Sequence, residues 1–345
     1  MKAFVLTGIK QIELRDIPPP ELKSPNDVLL KITAVGVCGS DIHYYETGKI
    51  GSQVVKYPFI VGHECAGLVE RVGASVKRVA PGDHVAIEPA MSCGQCDQCR
   101  SGRPHTCRKL RFLGCPGQAE GCLAEYLVMP QECCYPVGRG MSAEQAALSE
   151  PLAIGFYAAK KAQPLKGANI AILGCGPIGL SVMVCARAMG AAKIFVTDLI
   201  KERLKTALAH GADWGGDPEH ENIVEKITEQ NPALLDTVFE CCGEQSALDQ
   251  AIELLKPGGK LVLVGIPETD RISVVIDKAR RKEICIQNIR RQCECLHATL
   301  ALMEQGKLNV DFMITHHFGF EKTKEAFDLV SAYSDGVVKA MIEIR

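Results

Sequence analysis

A chain of 345 residues is longer than one ordinary domain, so two domains are expected. Its 47% hydrophobic and 23% charged residues are the balance of a soluble globular protein, and a net charge of −2 gives no basic field for nucleic acid. No membrane-spanning apolar run occurs, and MKAFVLTGIK lacks the apolar core and cleavage site of a signal peptide, so a cytoplasmic protein with no membrane partner is expected. The 17 cysteines are odd in number and scattered, which argues for reduced thiols with a few binding metal.

In chain order, the first 150 residues or so read as short β segments broken by Gly and Pro. VLLKITAV (28–35) and GLVERV (67–72) are strand-like, and APGDHVAI is a turn leading into a strand. GVCGSDIHYY and VGHECAG supply Cys38, His63 and Glu64, a thiolate, an imidazole and a carboxylate, and LSEPLAIG adds Glu150. Cys–His–Glu ligation leaves a position for water or an alcohol oxygen, the open arrangement of catalytic zinc. Each of these residues alone also has an ordinary reading, and sequence distance does not show that they converge.

The run MSCGQCDQCRSGRPHTC places Cys93, Cys96, Cys99 and Cys107 at C-x2-C-x2-C-x7-C spacing, with Gly94 and Gly102 to let the loop fold round an ion. Four soft ligands fill a tetrahedral zinc site, so this second metal is expected to be structural.

From Asn169 onward apolar strands alternate with helices, which implies a parallel sheet covered on both faces. NIAILGCGPIG is a strand, a glycine turn and a helix; AKIFVTD is a second strand, KERLKTALAHG a helix, DTVFECCG a strand, EQSALDQAIELLKPGG a helix and KLVLVG a strand. Gly174, Gly176 and Gly179 form G-x-G-x-x-G directly after the first strand, and Asp198 closes the next one. That context makes the pattern a dinucleotide fingerprint, with the pyrophosphate at the helix N-terminus. Asp198 would accept hydrogen bonds from the adenosine-ribose hydroxyls and repel a 2′-phosphate, favouring NAD; Arg203, one turn into the next helix, is the residue that would instead welcome that phosphate. After about Ile284 the texture is mixed, with one clear helix from Cys295 to Glu304.

CGSDIHYYETGKIG, GHECAGLVERVG, SEPLAIG and GCGPIG, in this order over nearly the whole chain, resemble the zinc-dependent medium-chain dehydrogenase/reductase superfamily, and within it the sorbitol (L-iditol 2-) dehydrogenase group. The resemblance implies an α/β protein in which a GroES-like β-rich catalytic domain (1–150 and 285–345) is joined to a Rossmann doubly wound parallel-sheet NAD domain (151–284). It implies two zinc ions per chain, NAD as cofactor, a small polyol as substrate, and a homotetramer or homodimer.

Carried over by position, Cys38, His63, Glu64 and Glu150 hold the catalytic zinc, Glu64 and Glu150 directly or through water. Asp41 orients His63, and Ser40 and His43 lie on the path of the substrate proton. Ser40, Tyr44, Phe112, Glu150, Arg290 and Arg291 match substrate contacts. Ile178, Asp198 and Arg203 follow the adenosine side of the cofactor, Val264, Gly265 and Ile266 the stretch that holds the nicotinamide by its backbone, and Asn288, Ile289 and Arg290 form a second matching segment from the C-terminal part. The chain departs from the animal enzymes in its complete structural cysteine set and in Arg291, where they carry tyrosine. A second guanidinium there favours an acidic or phosphorylated substrate, or else points away to a surface carboxylate. Competing readings are a zinc dehydrogenase for L-threonine or a simple alcohol, a zinc-free quinone or enoyl reductase, and a non-catalytic nucleotide-binding protein of the crystallin kind.

Overall fold

The computed structural model describes residues 1–345 and divides into two compact units. The first comprises Met1–Glu150, Leu296–Glu304 and Ile314–Arg345; the second comprises Pro151–Cys295 and Gln305–Met313. No helix is long and apolar enough to cross a membrane, and all 17 cysteines are free thiols.

The first unit is built on a seven-stranded sheet. Its central strand, Asp27–Gly36, is rich in β-branched and aliphatic residues and is buried along most of its length. It pairs antiparallel with Glu64–Val72 on one side and with Lys339–Glu343 on the other, and Tyr126–Pro130 also pairs with it. The last strand thus comes from the far end of the chain, which places residue 339 beside residues 36 and 64. Beneath the sheet lies a core that includes Val28, Leu30, Ile32, Val61, Met129, Phe327 and Ile342. Tyr45 meets Phe327 edge-on at 5.5 Å between ring centroids, a contact worth roughly 1 kcal/mol beyond its buried area.

The second unit is a six-stranded, all-parallel sheet. Its spatial order is Trp214–Gly216, Lys193–Thr197, Asn169–Leu173, Leu235–Glu240, Leu255–Leu263, Cys285–Asn288, so the chain winds outward from Asn169–Leu173 in one direction and then in the other. That is the doubly wound order whose switch point opens a crevice at the carboxyl ends of the two central strands.

Two sequence expectations shift. The helix in EQSALDQAIELLKPGG covers only Gln245–Leu254, and the strand already begins at Leu255. Its pairing with Leu235–Glu240 slips between Leu255 and Lys260, which absorbs the glycines that had looked like a separate turn. The boundary at 284 also moves: Cys285–Asn288 pairs in parallel with Leu255–Leu263, so this stretch belongs to the parallel sheet and not to the β-rich unit.

Candidate functional site

Cys38, His63 and Glu64 converge, each from a different local cause. Cys38 stands at the N-terminus of the helix Gly39–Thr47, where its N–H donates to Asp41 Oδ2 at 3.2 Å. The other oxygen of Asp41 accepts the Gly62 N–H at 3.1 Å and lies 3.4 Å from His63 Nδ1. One buried carboxylate therefore ties the Cys38 loop to the His63 loop and leaves Nε2 as the imidazole nitrogen that can ligate an ion. Glu64 opens the strand Glu64–Val72 opposite Gly36. The ligand atoms of Cys38, His63 and Glu64 all lie within 4.8 Å of one another. Burial alone would push the His63 imidazole down, but the charges of Asp41 and Cys38 outweigh it and hold the ring well above its ordinary value.

A soft thiolate, an imidazole and a carboxylate converging in a buried pocket fit zinc, and three protein donors leave a coordination position for a substrate oxygen. Glu150 is buried but lies outside the close trio; it acts by charge on Lys339. Ser40 Oγ donates to Cys38 Sγ at 3.4 Å, and His43 is half-buried on the same helix. The Phe112 ring lies 5.4 Å from the His63 ring and forms an apolar wall beside it. Tyr44 is buried, and its hydroxyl donates to Gln53 Oε1 at 3.1 Å.

The four-cysteine loop also closes: the sulfurs of Cys93, Cys96, Cys99 and Cys107 lie within 4.8 Å of one another. Cys96 Sγ is 3.6 Å from Cys99 Sγ and 3.8 Å from Cys107 Sγ. The N–H groups of Cys93 and Lys109 both donate to Cys107 Sγ at 3.3 Å. Hydrogen bonds from the backbone at Cys99 and Arg108 pull the Cys96 thiol down to about 6, while burial and neighbouring thiols push Cys99 up to about 11. A bidentate Arg108–Asp97 pair, at 2.6 and 2.8 Å, braces the loop. This donor set fits a zinc ion with every position filled by protein.

On the parallel sheet the fingerprint forms as the spacing implies. Gly174 has φ +102°, which a side chain rarely tolerates, and a Cβ on Gly179 would run into the Gly174 carbonyl oxygen. Gly176 caps the helix Pro177–Ala188, on whose first turn Ile178 lies half-buried. Asp198, just past Lys193–Thr197, accepts the Cys175 N–H at 2.6 Å and the Ile200 N–H at 2.9 Å. Arg203 is buried with Nη1 turned toward Gly176. Val264 and Gly265 both donate their N–H to the Glu240 carbonyl, and Ile266 is exposed beside them. Asn288 ends the last strand, the Ile289 N–H donates to the Leu263 carbonyl, and Arg290 is exposed. Arg291 takes φ +56° and its Nη1 is buried, so this guanidinium is folded into the protein.

Two features had no sequence signal strong enough to single them out. Lys339 is fully buried against Glu64. At the switch point, Glu240 Oε1 accepts the N–H groups of Cys242 (2.8 Å) and Gly243 (2.6 Å), shaping the turn that faces Gly174. The signal for the second was its place at the end of the strand across the switch point.

The alcohol dehydrogenase GroES-like domain family matches residues 24–139, and the zinc-binding dehydrogenase family matches residues 177–305. Sorbitol dehydrogenase of Bacillus subtilis is 35% identical over 343 residues, covering 99% of this chain and 97% of that protein. The chain belongs to the zinc-dependent medium-chain dehydrogenase/reductase superfamily. L-Idonate 5-dehydrogenase of Vitis vinifera is 36% identical over 351 residues, covering 100% of this chain and 94% of its own length. Among solved structures, alcohol dehydrogenase TADH from Thermus sp. ATN1 superposes with TM-score 0.92 at 27% identity, covering 100% of both chains. As a zinc-binding dehydrogenase the chain is an oxidoreductase that uses zinc and NAD(P).

Proposed function

We propose that this dehydrogenase reversibly oxidises a secondary hydroxyl of a polyol, of the sorbitol, xylitol or L-iditol type, to a ketose with NAD as hydride acceptor. The observation that carries the reading is the convergence of Cys38, His63 and Glu64 within 4.8 Å. Full-length similarity to a sorbitol dehydrogenase and an L-idonate 5-dehydrogenase supports the substrate class.

Zinc and NAD, when bound, supply a Lewis acid for the substrate oxygen and an acceptor for the hydride. The chain's own residues do the positioning. Asp41 holds His63 in one orientation and the Cys38 loop in one place. Ser40, with its hydroxyl at the Cys38 sulfur, is the first carrier of the substrate proton, and His43, one turn along the helix, passes it toward solvent. Glu150 accepts from the substrate side, and Phe112 and Tyr44 line the polyol. Arg290 and Arg291 are assigned to the substrate by the family resemblance.

Asp198 favours NAD over NADP, because its carboxylate is fixed by two backbone N–H groups where a 2′-phosphate would otherwise sit. Arg203, turned to the glycine loop, is poorly placed to offset that repulsion. The four-cysteine zinc serves the fold. A reducing, cytoplasmic setting and a dimer or tetramer complete the reading, the first supported by 17 free thiols.

The test is NADH formation over a panel of sorbitol, xylitol, ribitol, galactitol, inositol, L-threonine and ethanol, with NADP as control. Turnover concentrated on polyols supports the assignment; turnover confined to threonine or ethanol rejects it.

A further inference from the structure

A buried lysine lies against Glu64 and has no part in the proton path of Ser40 and His43. Lys339 Nζ donates to Glu64 Oε2 at 2.6 Å and to the Val37 carbonyl, next to Cys38, at 3.0 Å; both charged side chains are 1% exposed. It is the one buried lysine or arginine of its unit, and Glu64, Cys38 and Glu150 all act on it by charge. The geometry depends on the middle strand. Gly36 pairs with Glu64 on one side and Met341 on the other, and a Cβ at Gly36 would strike Glu64 Oε2 and touch the Lys339 stem. The ion pair therefore crosses the central strand at the one residue without a side chain.

We propose that Lys339, given room by Gly36, is a positioning residue of the metal centre: it holds Glu64 by Oε2, so that only the other carboxylate oxygen is free to face the ion. The proposal rests on the reading of Cys38, His63 and Glu64 as a metal centre. Two physical arguments favour it over a purely structural ion pair. A buried pair of this kind adds little net stability over well-packed apolar residues, so its presence calls for another reason. A carboxylate with one oxygen occupied is also a weaker, single-toothed ligand, which keeps the open coordination position from being filled by the protein itself. A divalent ion alone leaves the surrounding anions in excess, and the ammonium reduces that excess without occupying a ligand position.

The test is zinc release from the holoenzyme to a chromogenic chelator, read together with kcat and the KM for NAD. The release phase missing in Cys38→Ser identifies the catalytic ion. In Lys339→Met, where both oxygens of Glu64 can reach the ion, that phase is expected to slow at least about ten-fold, with the four-cysteine phase unchanged, kcat lowered because the open position is filled, and KM for NAD unaffected. Lys339→Arg should restore both to within a few-fold. Gly36→Ala keeps the lysine but crowds Oε2, and should reproduce the Lys339→Met release behaviour, which decides the matter should the methionine variant not fold. Parental release and kcat in either Lys339→Met or Gly36→Ala overturn the proposal. A parent enzyme with no Cys38-dependent zinc overturns the metal-centre reading itself, an outcome distinct from the first.

Discussion

Asp41 Oδ1 lies 3.4 Å from His63 Nδ1, with both side chains buried. Because the same carboxylate also accepts the Gly62 and Cys38 N–H groups, it fixes two ligand loops at once. Asp41→Asn keeps the shape but loses the negative charge that orients and strengthens the imidazole. Zinc affinity at the Cys38 site should fall roughly 10–100-fold, measured by chelator competition, while the four-cysteine zinc stays bound.

The four-cysteine loop should separate from the chemistry. Cys96→Ser is expected to remove one zinc per chain and lower the melting temperature by several degrees, since a structural zinc contributes directly to folding. Below that temperature kcat should remain within a few-fold of the parent. A well-folded but inactive Cys96→Ser enzyme would contradict this division of roles.

Cofactor choice should rest on Asp198. Asp198→Ala removes a carboxylate that anchors the Cys175 and Ile200 N–H groups. Charged hydrogen bonds are worth about 1.5–3 kcal/mol, so kcat/KM for NAD should fall roughly 10–100-fold. The NADP value should rise relative to it. Steady-state rates with both cofactors check this, and an unchanged ratio would remove Asp198 from the specificity argument.

What was legible in the sequence follows physical range. The fingerprint glycines and the four cysteines signal their roles because their geometry is local: a turn, a helix start, a loop round an ion. The strands Asp27–Gly36 and Asn169–Leu173 were visible as apolar runs with β-branched residues. Lys339 was not, because a lysine within VVKAMI reads as solvated, and only the pairing of Lys339–Glu343 with Asp27–Gly36 turns it inward beside Glu64. The strand Cys285–Asn288 was missed for a related reason. It lies at the sheet edge and is mostly exposed, so it lacks the apolar signature of a buried parallel strand.

Stability should fall in alkali. Burial pushes the Cys134 thiol from 9.0 up to about 12, and holds Cys133 and Cys185 above the same ordinary value. The folded protein keeps protons that the unfolded chain releases above pH 9, so this contribution is complete below that pH and is lost as pH rises toward the folded values. At pH 10 the cost is roughly 1 kcal/mol for Cys134, and Cys133 and Cys185 add to it in the same direction. Urea midpoints at pH 8 and pH 10 under reducing conditions measure it, and equal midpoints would mean that these thiols are solvated.

The central claim, that Cys38, His63 and Glu64 hold the ion on which turnover depends, is tested most directly by counting zinc per chain alongside polyol-dependent NADH formation in the parent and in Cys38→Ser. The account predicts two zinc ions and turnover in the parent. In Cys38→Ser it predicts one zinc, NAD binding within a few-fold of the parent, and a rate lower by more than about 10³-fold, the loss of several kcal/mol of Lewis-acid stabilisation. A Cys38→Ser enzyme that keeps both ions, or that turns over polyol at the parent rate, would contradict it.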